Sequence, residues 1–290
     1  MSIPPLALLL VVVSSLGWAG FDLLRKLLVR EVPPVALVFL LTVASTPLFA
    51  VWMVAEGATR LTAGYWLPAL GSVVLNIAAN LLFLQGMRIA PLSVTVPLLS
   101  LTPVFATVLA IPLLGENPSF QAVMGILLVI AGALWLNWQP RDPGGAADPG
   151  GKLRGAVMVA LTALFWSLTI PLDKLAVERA TPQLHGTVLN GGVAMGVLLV
   201  LVTQRRLGDL AHLRRVPGTF GLALVVSVLA LALQLLALPL AFVGTIETLK
   251  RGIGNFMALV SGSIFFQERV TVPKILAVAL MAVGVGLILT

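Results

Sequence analysis

The chain has 290 residues, of which 59% are hydrophobic and only 10% are charged, and its mean hydropathy is +1.07. Soluble domains carry about 25% charged residues, so this composition excludes a water-soluble globule and indicates an integral membrane protein. The net charge of +7 does not indicate nucleic-acid binding, because Lys and Arg stand singly or in pairs between apolar runs and form no single basic face. The absence of cysteine excludes disulfides, thiolate metal sites and cysteine nucleophiles.

The apolar residues fall into ten segments that predict transmembrane helices, because a bilayer core of about 30 Å needs about 20 apolar residues. The first eight contain no charged residue and are Ile3–Phe21, Val32–Ala55, Leu61–Met87, Ile89–Gly115, Asn117–Pro140, Gly155–Leu172, Ala180–Gln204 and Val216–Ile246. The last two carry charges within them or at one end and are Val243–Phe266 and Val270–Thr290. The first segment lacks a basic leader and a cleavage site, so we expect it to be a retained helix. The predicted fold class is an all-α integral membrane protein with ten transmembrane helices.

The polar, glycine-rich stretch Gln139–Gly151 near the middle of the chain predicts a flexible linker. Short matches across this linker recur in order at an almost constant offset. They pair Trp18 with Trp166, Lys26 with Lys174, Pro34 with Pro182, Gly115-Glu116 with Gln267-Glu268, and Gly132 with Gly284. Because each side contains five segments, the second side must enter the membrane in the opposite orientation. We therefore predict two inverted five-helix repeats, 1–140 and 152–290, joined by a linker at 141–151, an architecture typical of secondary transporters.

Short motifs occur at corresponding places in the two halves. Those of the first half are Gly17-Trp18, Ala90-Pro91-Leu92-Ser93, Thr102-Pro103-Val104, Gly115-Glu116, Gly125 and Gly132. Those of the second half are Lys250-Arg251, Phe265-Phe266-Gln267-Glu268, Gly284 and Gly286. Together they resemble the drug/metabolite transporter superfamily, specifically its EamA-type ten-helix transporters, over nearly the whole chain. The chain departs from the usual pattern at Gln267, where glycine is common, and in lacking basic tails. The resemblance implies a protein that exports or exchanges metabolites.

The ninth segment carries four polar residues on one helical face, at spacings of three, four and eight residues. They are Glu247, Lys250, Arg251 and Asn255. Only 16 uncharged residues follow, about 24 Å of helix, so the two cations cannot lie comfortably outside the membrane. They predict a site for a carboxylate or phosphate, and the alternative is that both side chains snorkel to the interface. Glu247 is expected to act as their counter-ion or to carry a coupled proton, and the nearby cations favour the counter-ion.

Polar amides in two other segments are candidates for substrate binding. Asn76, Asn80 and Gln85 lie in the third segment, and Gln234 lies at a related place in the eighth. Such amides either line a cavity or join neighbouring helices by hydrogen bonds. Both interpretations stay open from the sequence.

Prolines and glycines predict hinges in two segments. Pro97 and Pro103 in the fourth segment each remove a backbone hydrogen bond and predict a broken helix that lines the cavity. Gly252 and Gly254 follow the cationic pair and predict a loosened backbone that helps to hold a ligand. Prolines are also simply common in membrane helices, which is the alternative for the fourth segment.

Residues near the ends of the first and sixth segments have two interpretations each. Trp18 and Trp166 could stack on a substrate or belong to an interfacial aromatic belt. The charges Asp22, Arg25 and Lys26, like Asp173 and Lys174, fit helix-end anchors, with a gate as the alternative. His185 fits an interfacial position better than a proton relay. Glu116 and Glu268 are expected to stabilise helix N-termini, and Gly192 and Gly196 are expected to allow close helix packing.

These features predict a secondary transporter or exporter of a small metabolite, either an amino acid or another organic anion or zwitterion, that works by alternating access. From the resemblance, the first, third, fourth, sixth, eighth and ninth helices would line its cavity. The alternatives are a flippase for lipid-linked sugars or phospholipids, and a scaffold or enzyme that transports nothing. Because H-E-x-x-H, G-x-S-x-G and Walker A patterns are absent, we expect no enzyme activity, cofactor or metal site. The expected partners are a small-molecule substrate and the lipid bilayer, and the expected form is a monomer, with a dimer as the alternative.

The distribution of Lys and Arg predicts the orientation in the membrane. Of the 18 such residues, 13 fall in connections that follow odd-numbered segments, and only Arg60, Lys174 and Arg179 fall on the other side when Lys250 and Arg251 are set aside. We therefore expect a multi-pass protein of a bacterial-type inner membrane with both termini outside the cytoplasm. The family resemblance would place both termini inside.

Overall fold

The structure is a computed structural model that describes residues 3–89, 99–137, 149–266 and 271–289. Its first-half helices are α1 (Pro5–Glu31), α2 (Pro34–Ala55), α3 (Trp66–Ile89), α4 (Thr102–Leu114) and α5 (Phe120–Asn137). Its second-half helices are α6 (Pro149–Arg179), α7 (Pro182–Thr203), α8 (Pro217–Ala237), α9 (Val243–Phe266) and α10 (Val272–Leu289). Two 3₁₀ helices, Leu207–Arg215 and Leu238–Leu240, precede and follow α8. The described part of the chain is therefore helical and contains no strand.

Six helices, α1, α2, α3, α6, α7 and α8, are long and apolar enough to cross a membrane. The helices α4, α5 and α10 are apolar but shorter within the described residues. Large apolar side chains lie on the outside of the bundle, as with Leu67, which is 86% exposed, and Val54, which is 72% exposed. Such a surface is stable against lipid and not against water. The chain is therefore a multi-pass membrane protein.

The helix boundaries follow proline more closely than charge. Pro5, Pro34, Pro182 and Pro217 stand in the first turns of their helices, where a missing N–H costs nothing. The expectation that Asp22 and its neighbours close the first helix is wrong, because α1 continues to Glu31. The same holds for Asp173 and Lys174, which lie within α6.

Two further boundaries differ from the prediction. The eighth segment was expected to continue to Ile246, but α8 ends at Ala237, and the 3₁₀ turn at Leu238–Leu240, which contains Pro239, separates it from α9. The predicted linker lies mostly outside the described residues, but its last residues, 149–151, already belong to α6.

The helices of the two halves pack in a reciprocal pattern. Helix α1 packs against α8 and α3 against α6, while α2 packs against α7, α4 against α9 and α5 against α10. The third helix of each half thus contacts the first helix of the other half, and the remaining helices contact their counterparts.

Small residues allow the closest of these approaches. A Cβ atom on Gly125 would lie 2.5 Å from the carbonyl oxygen of Gly284, so α5 and α10 meet backbone to backbone. A Cβ atom on Gly192 would lie 2.9 Å from Val73, and one on Gly196 would overlap Ile77. The close packing expected of Gly192 and Gly196 is therefore confirmed.

Candidate functional site: a charged cavity between the two halves

A cavity of about 160 Å³ lies in the middle of the bundle, between the halves. Side chains of α1, α2, α3, α6, α7, α8 and α9 line it. One water needs roughly 10–15 Å³ by the same measure, so the cavity holds several waters or one small organic molecule. The expected lining by helices one, three, six, eight and nine agrees with the structure, which adds helices two and seven. Among the described residues of the fourth helix, none lines the cavity.

The predicted pair on α9 faces this cavity. The Lys250 ammonium lies 2.8 Å from one carboxylate oxygen of Glu247, and the Arg251 guanidinium lies 3.9 Å from the other. Glu247 is fully buried behind them, while the Lys250 and Arg251 side chains are 17% and 13% exposed. Both cations therefore point into the cavity and do not snorkel to the interface. The geometry also agrees with Glu247 as their counter-ion.

Arg251 is only weakly neutralised. Its distance of 3.9 Å from Glu247 exceeds hydrogen-bond length, and its buried Nε atom has no hydrogen-bond partner. A guanidinium that lines the cavity and lies 3.9 Å from its nearest carboxylate is suited to bind a carboxylate or phosphate of a ligand.

Arg25 is a cavity cation that the sequence did not single out as a ligand. It is 6% exposed and lines the cavity, with its guanidinium 4.6 Å from the centre of the Phe21 ring and 4.9 Å from that of Phe83. Asp22 pairs with one of its terminal nitrogens, but its buried Nε atom has no partner. The sequence did offer one sign that Arg25 faces the interior: Phe21 lies four residues before it, which places an aromatic ring beside the cation on the same helical face.

Trp166 and Trp18 also line the cavity. The guanidinium carbons of Arg25 and Arg251 both lie 6.0 Å from the centre of the Trp166 ring, and the Lys250 ammonium lies 5.3 Å from that of Trp18. These are cation–π distances. The interpretation of the two tryptophans as an interfacial belt is therefore wrong.

The predicted amide residues divide into two groups. Asn76, Asn80 and Gln234 line the cavity, and Gln234 accepts a hydrogen bond from Lys250 at 3.4 Å. Gln85 is exposed and does not line the cavity, and Asn255 is buried with its amide 3.5 Å from the Ser100 hydroxyl. Gln85 and Asn255 are therefore not part of the cavity wall in this conformation, and their contact with substrate stays a prediction. One helical turn separates Asn80 from Leu84, whereas Gln85 lies one residue beyond that face.

The predicted hinges are placed as follows. Pro97 lies outside the described residues. Pro103 stands in the first turn of α4, where its missing N–H breaks no hydrogen bond, and not in the middle of a helix as expected. Gly252 and Gly254 lie inside the continuous helix α9, and the loosened backbone expected there is absent from this conformation. A hinge role for these four residues stays a prediction.

His185 and Asp173 are buried, contrary to their expected places at the interface. His185 has no exposed surface, and its Nε2 atom lies 3.1 Å from a carboxylate oxygen of Asp173. Its Nδ1 atom lies 3.2 Å from the hydroxyl of Tyr65, 120 residues away. Asp173 also accepts a hydrogen bond from Ser72 and lines the cavity.

Lys174 is buried as well and belongs to a contact between the halves. Its ammonium donates hydrogen bonds to Glu116 at 2.7 Å and to the carbonyl of Ala241 at 2.9 Å. Glu116 also accepts the backbone N–H of Val243 at 2.9 Å, so it lies at the N-terminus of α9 in the other half and not at that of the helix that follows its own turn. Glu268 lies outside the described residues.

We call this end of the bundle, at which α2, α4, α6 and α8 end, the Glu116 end. Further polar contacts join the halves here, from Thr62 to the carbonyl of Arg179 at 2.9 Å and from Thr181 to that of Ala58 at 2.7 Å. Gln183 donates to Glu56 at 2.5 Å. The two halves are therefore tightly joined at the Glu116 end in this conformation.

Comparisons with known proteins agree with this geometry. Residues 5–138 match the model of the EamA-like transporter family, which is part of the drug/metabolite transporter superfamily. The chain is also similar to a protein of known crystal structure, with a TM-score of 0.73 over 97% of this chain and 95% of that one. At 17% sequence identity this similarity concerns the fold alone. No curated protein sequence matches the chain.

Proposed function

We propose that the chain is a membrane transporter of the drug/metabolite type that carries a small organic anion or zwitterion by alternating access, because residues 5–138 match the EamA-like transporter family. The observation that supports this substrate class most is the cavity itself, which is lined by three cations, Arg25, Lys250 and Arg251. A ligand carboxylate in this cavity has charged donors to bind, and hydrogen bonds between ionised groups are the strong ones.

The remaining charges of the cavity favour a zwitterion such as an amino acid. Asp22 and Asp173 line the same cavity as the three cations, so a ligand ammonium has a carboxylate to bind. The other lining residues are largely apolar, including Leu41, Phe49 and Leu231, and suit an apolar side chain. A ligand with both charges and an apolar part therefore fits the cavity better than an inorganic anion does.

The packing of the halves supports the proposal of two inverted five-helix repeats, 1–140 and 152–290, within a ten-span protein. If a two-fold axis relates the halves, a contact between the first helix of one half and the third helix of the other must recur with the halves exchanged, and an odd number of helices in each half makes the repeat an inverted one. The contacts of α1 with α8 and of α3 with α6 follow that rule. We further propose that the protein works as a monomer in a bacterial-type inner membrane.

Transport by the purified protein in proteoliposomes tests the proposal. We expect uptake or counterflow of at least one anionic or zwitterionic solute from a labelled metabolite panel, and no uptake of neutral sugars. The double variant K250A/R251A is expected to abolish this transport. The matched control R214A/R215A removes two exposed cations from the 3₁₀ helix Leu207–Arg215 and is expected to transport normally. No movement of any solute, or equal rates in both double variants, would overturn the proposal.

A further inference from the structure

A chain of buried polar groups starts at the cavity wall and leads away from it toward the Glu116 end. Asp173 lines the cavity, His185 bonds to Asp173, and Tyr65 bonds to His185. Tyr65 and His185 have no exposed surface and Asp173 is 3% exposed.

Each helix around His185 contributes a defined polar group. Asp173 comes from α6, and Ser72 on α3 donates a hydrogen bond to that carboxylate. Tyr65 precedes α3, and Glu56 at the end of α2 bonds to Gln183 on the first turn of α7.

Other charges near this cluster are engaged elsewhere. Lys174 follows Asp173 in the chain, but its ammonium bonds to Glu116 and Ala241. Arg179, whose guanidinium borders Gly64, donates to the carbonyl of Leu175. Within the described residues, Asp173 is thus the acidic group in direct contact with His185.

The contacts of His185 suit both of its protonation states. In the neutral form Nε2–H donates to Asp173 and Nδ1 accepts from the Tyr65 hydroxyl; in the charged form both nitrogens donate, and the Tyr65 oxygen accepts. Tyr65 remains a hydroxyl in either case, because burial and the nearby Asp173 raise the pKa of its phenol above the usual value. The imidazole can therefore gain or lose a proton while keeping both neighbours.

The cluster also joins the two halves of the chain. Ser72 and Tyr65 belong to the first half, and Asp173 and His185 belong to the second. Any movement that separates the halves at the Glu116 end removes Ser72 and Tyr65 from the other two residues. The affinity for a proton then differs between the two conformations, which is the requirement for coupling a proton to a conformational change.

We propose that Asp173 and His185 together bind the proton that drives transport. This proton passes between the cavity and His185 by way of Asp173, which lines the cavity wall. The proposal rests on the transporter function above and names its coupling ion. The proton comes from water on one side of the membrane, is held by the imidazole or the carboxylate, and is released on the other side, so no other bond changes. It assigns coupling to this pair in place of Glu247.

Two measurements test the proposal. Both use the fact that the chain has only two histidines, so that His212 serves as the reference for His185. The first is NMR of protein labelled with ¹⁵N-histidine in detergent, with His212→Gln used to assign the two imidazoles. We expect the His185 signals to show the imidazole gaining and losing a proton across the pH range in which the protein stays folded. An imidazole that keeps one protonation state over that range would overturn the proposal, whether or not a transported solute is known.

The second measurement compares proton-driven accumulation of a transported solute with its exchange at equal pH on both sides. We expect His185→Gln to lower the ratio of the two by about tenfold and His212→Gln to leave the ratio unchanged. Tyr65→Phe, which keeps the ring and removes the hydroxyl, is expected to lower the ratio if His185→Gln does not fold. An unchanged ratio in the folded variants would overturn the coupling proposal while leaving the transport function intact. Absence of all solute exchange in the wild-type protein would instead refute the function on which the proposal rests.

Discussion

The Lys174 ammonium and the Glu116 carboxylate lie 2.7 Å apart and join the two halves of the chain inside the protein. Both side chains are buried: that of Lys174 is 10% exposed and that of Glu116 is 8% exposed. Loss of one partner would leave the other charge buried and unpaired, which costs about 3–5 kcal/mol. We therefore expect Lys174→Met to lower the thermal stability of the detergent-purified protein strongly.

A double-mutant cycle checks that explanation. The variant K174M/E116Q is expected to be more stable than Lys174→Met alone, because it leaves no unpaired charge at the Glu116 end. The two effects would simply add if the residues did not interact, and that result would contradict the role given to the pair.

Alternating access requires the Glu116 end to open, and a cross-link across it should stop transport. Leu61 and Ala180 form an isolated antiparallel bridge between the halves, a geometry with Cα atoms about 4.5–5.5 Å apart and within reach of a disulfide. Since the chain has no cysteine of its own, L61C/A180C forms the only possible pair. We expect oxidation to block counterflow and a reductant to restore it. Full counterflow in the oxidised, cross-linked protein would contradict opening at this end.

Arg25 is expected to bind the substrate together with the α9 pair. A charged hydrogen bond contributes about 1.5–3 kcal/mol, so Arg25→Gln should raise the KM for transport by roughly 10- to 100-fold. Arg30→Gln, on an exposed part of the same helix, serves as the control and should leave KM unchanged. Equal KM values for wild type and Arg25→Gln would exclude Arg25 from the site.

The sequence predicted the helices better than it predicted the cavity. Long apolar runs fix where helices lie, but charges such as Asp22 and Arg25 were interpreted as helix ends because a lipid-facing helix could not contain them. They occur inside α1 since that face borders the cavity. His185 and Tyr65 are in contact although they are 120 residues apart in the sequence, and no local sequence pattern predicts such a contact. Lys250 and Arg251 were identifiable because the remaining apolar stretch is too short to place them outside.

The positive charges predict the orientation in the membrane. Of the three cations counted at the Glu116 end, Lys174 is buried in its ion pair, and Arg60 is exposed on the connection between α2 and α3. Arg25, counted at the opposite end, is buried in the cavity, so the excess of Lys and Arg at that end is the same as in the sequence count. We expect both termini outside the cytoplasm, so a green fluorescent protein fused after Thr290 should not fluoresce. Bright fluorescence of that fusion, in cells where a fusion near residue 145 is dark, would reverse the orientation.

The most direct test of the central claim is whether a transported solute occupies the cavity between the halves. Ser227→Cys places one thiol on the cavity wall of this cysteine-free chain, and Thr59→Cys places one on an exposed connection outside it. A solute that is transported should slow labelling of Cys at 227 by a maleimide reagent and leave labelling at 59 unchanged. Adding K250A/R251A should abolish that protection. A transported solute that never changes the labelling rate at 227 would show that transport uses a different route through the protein.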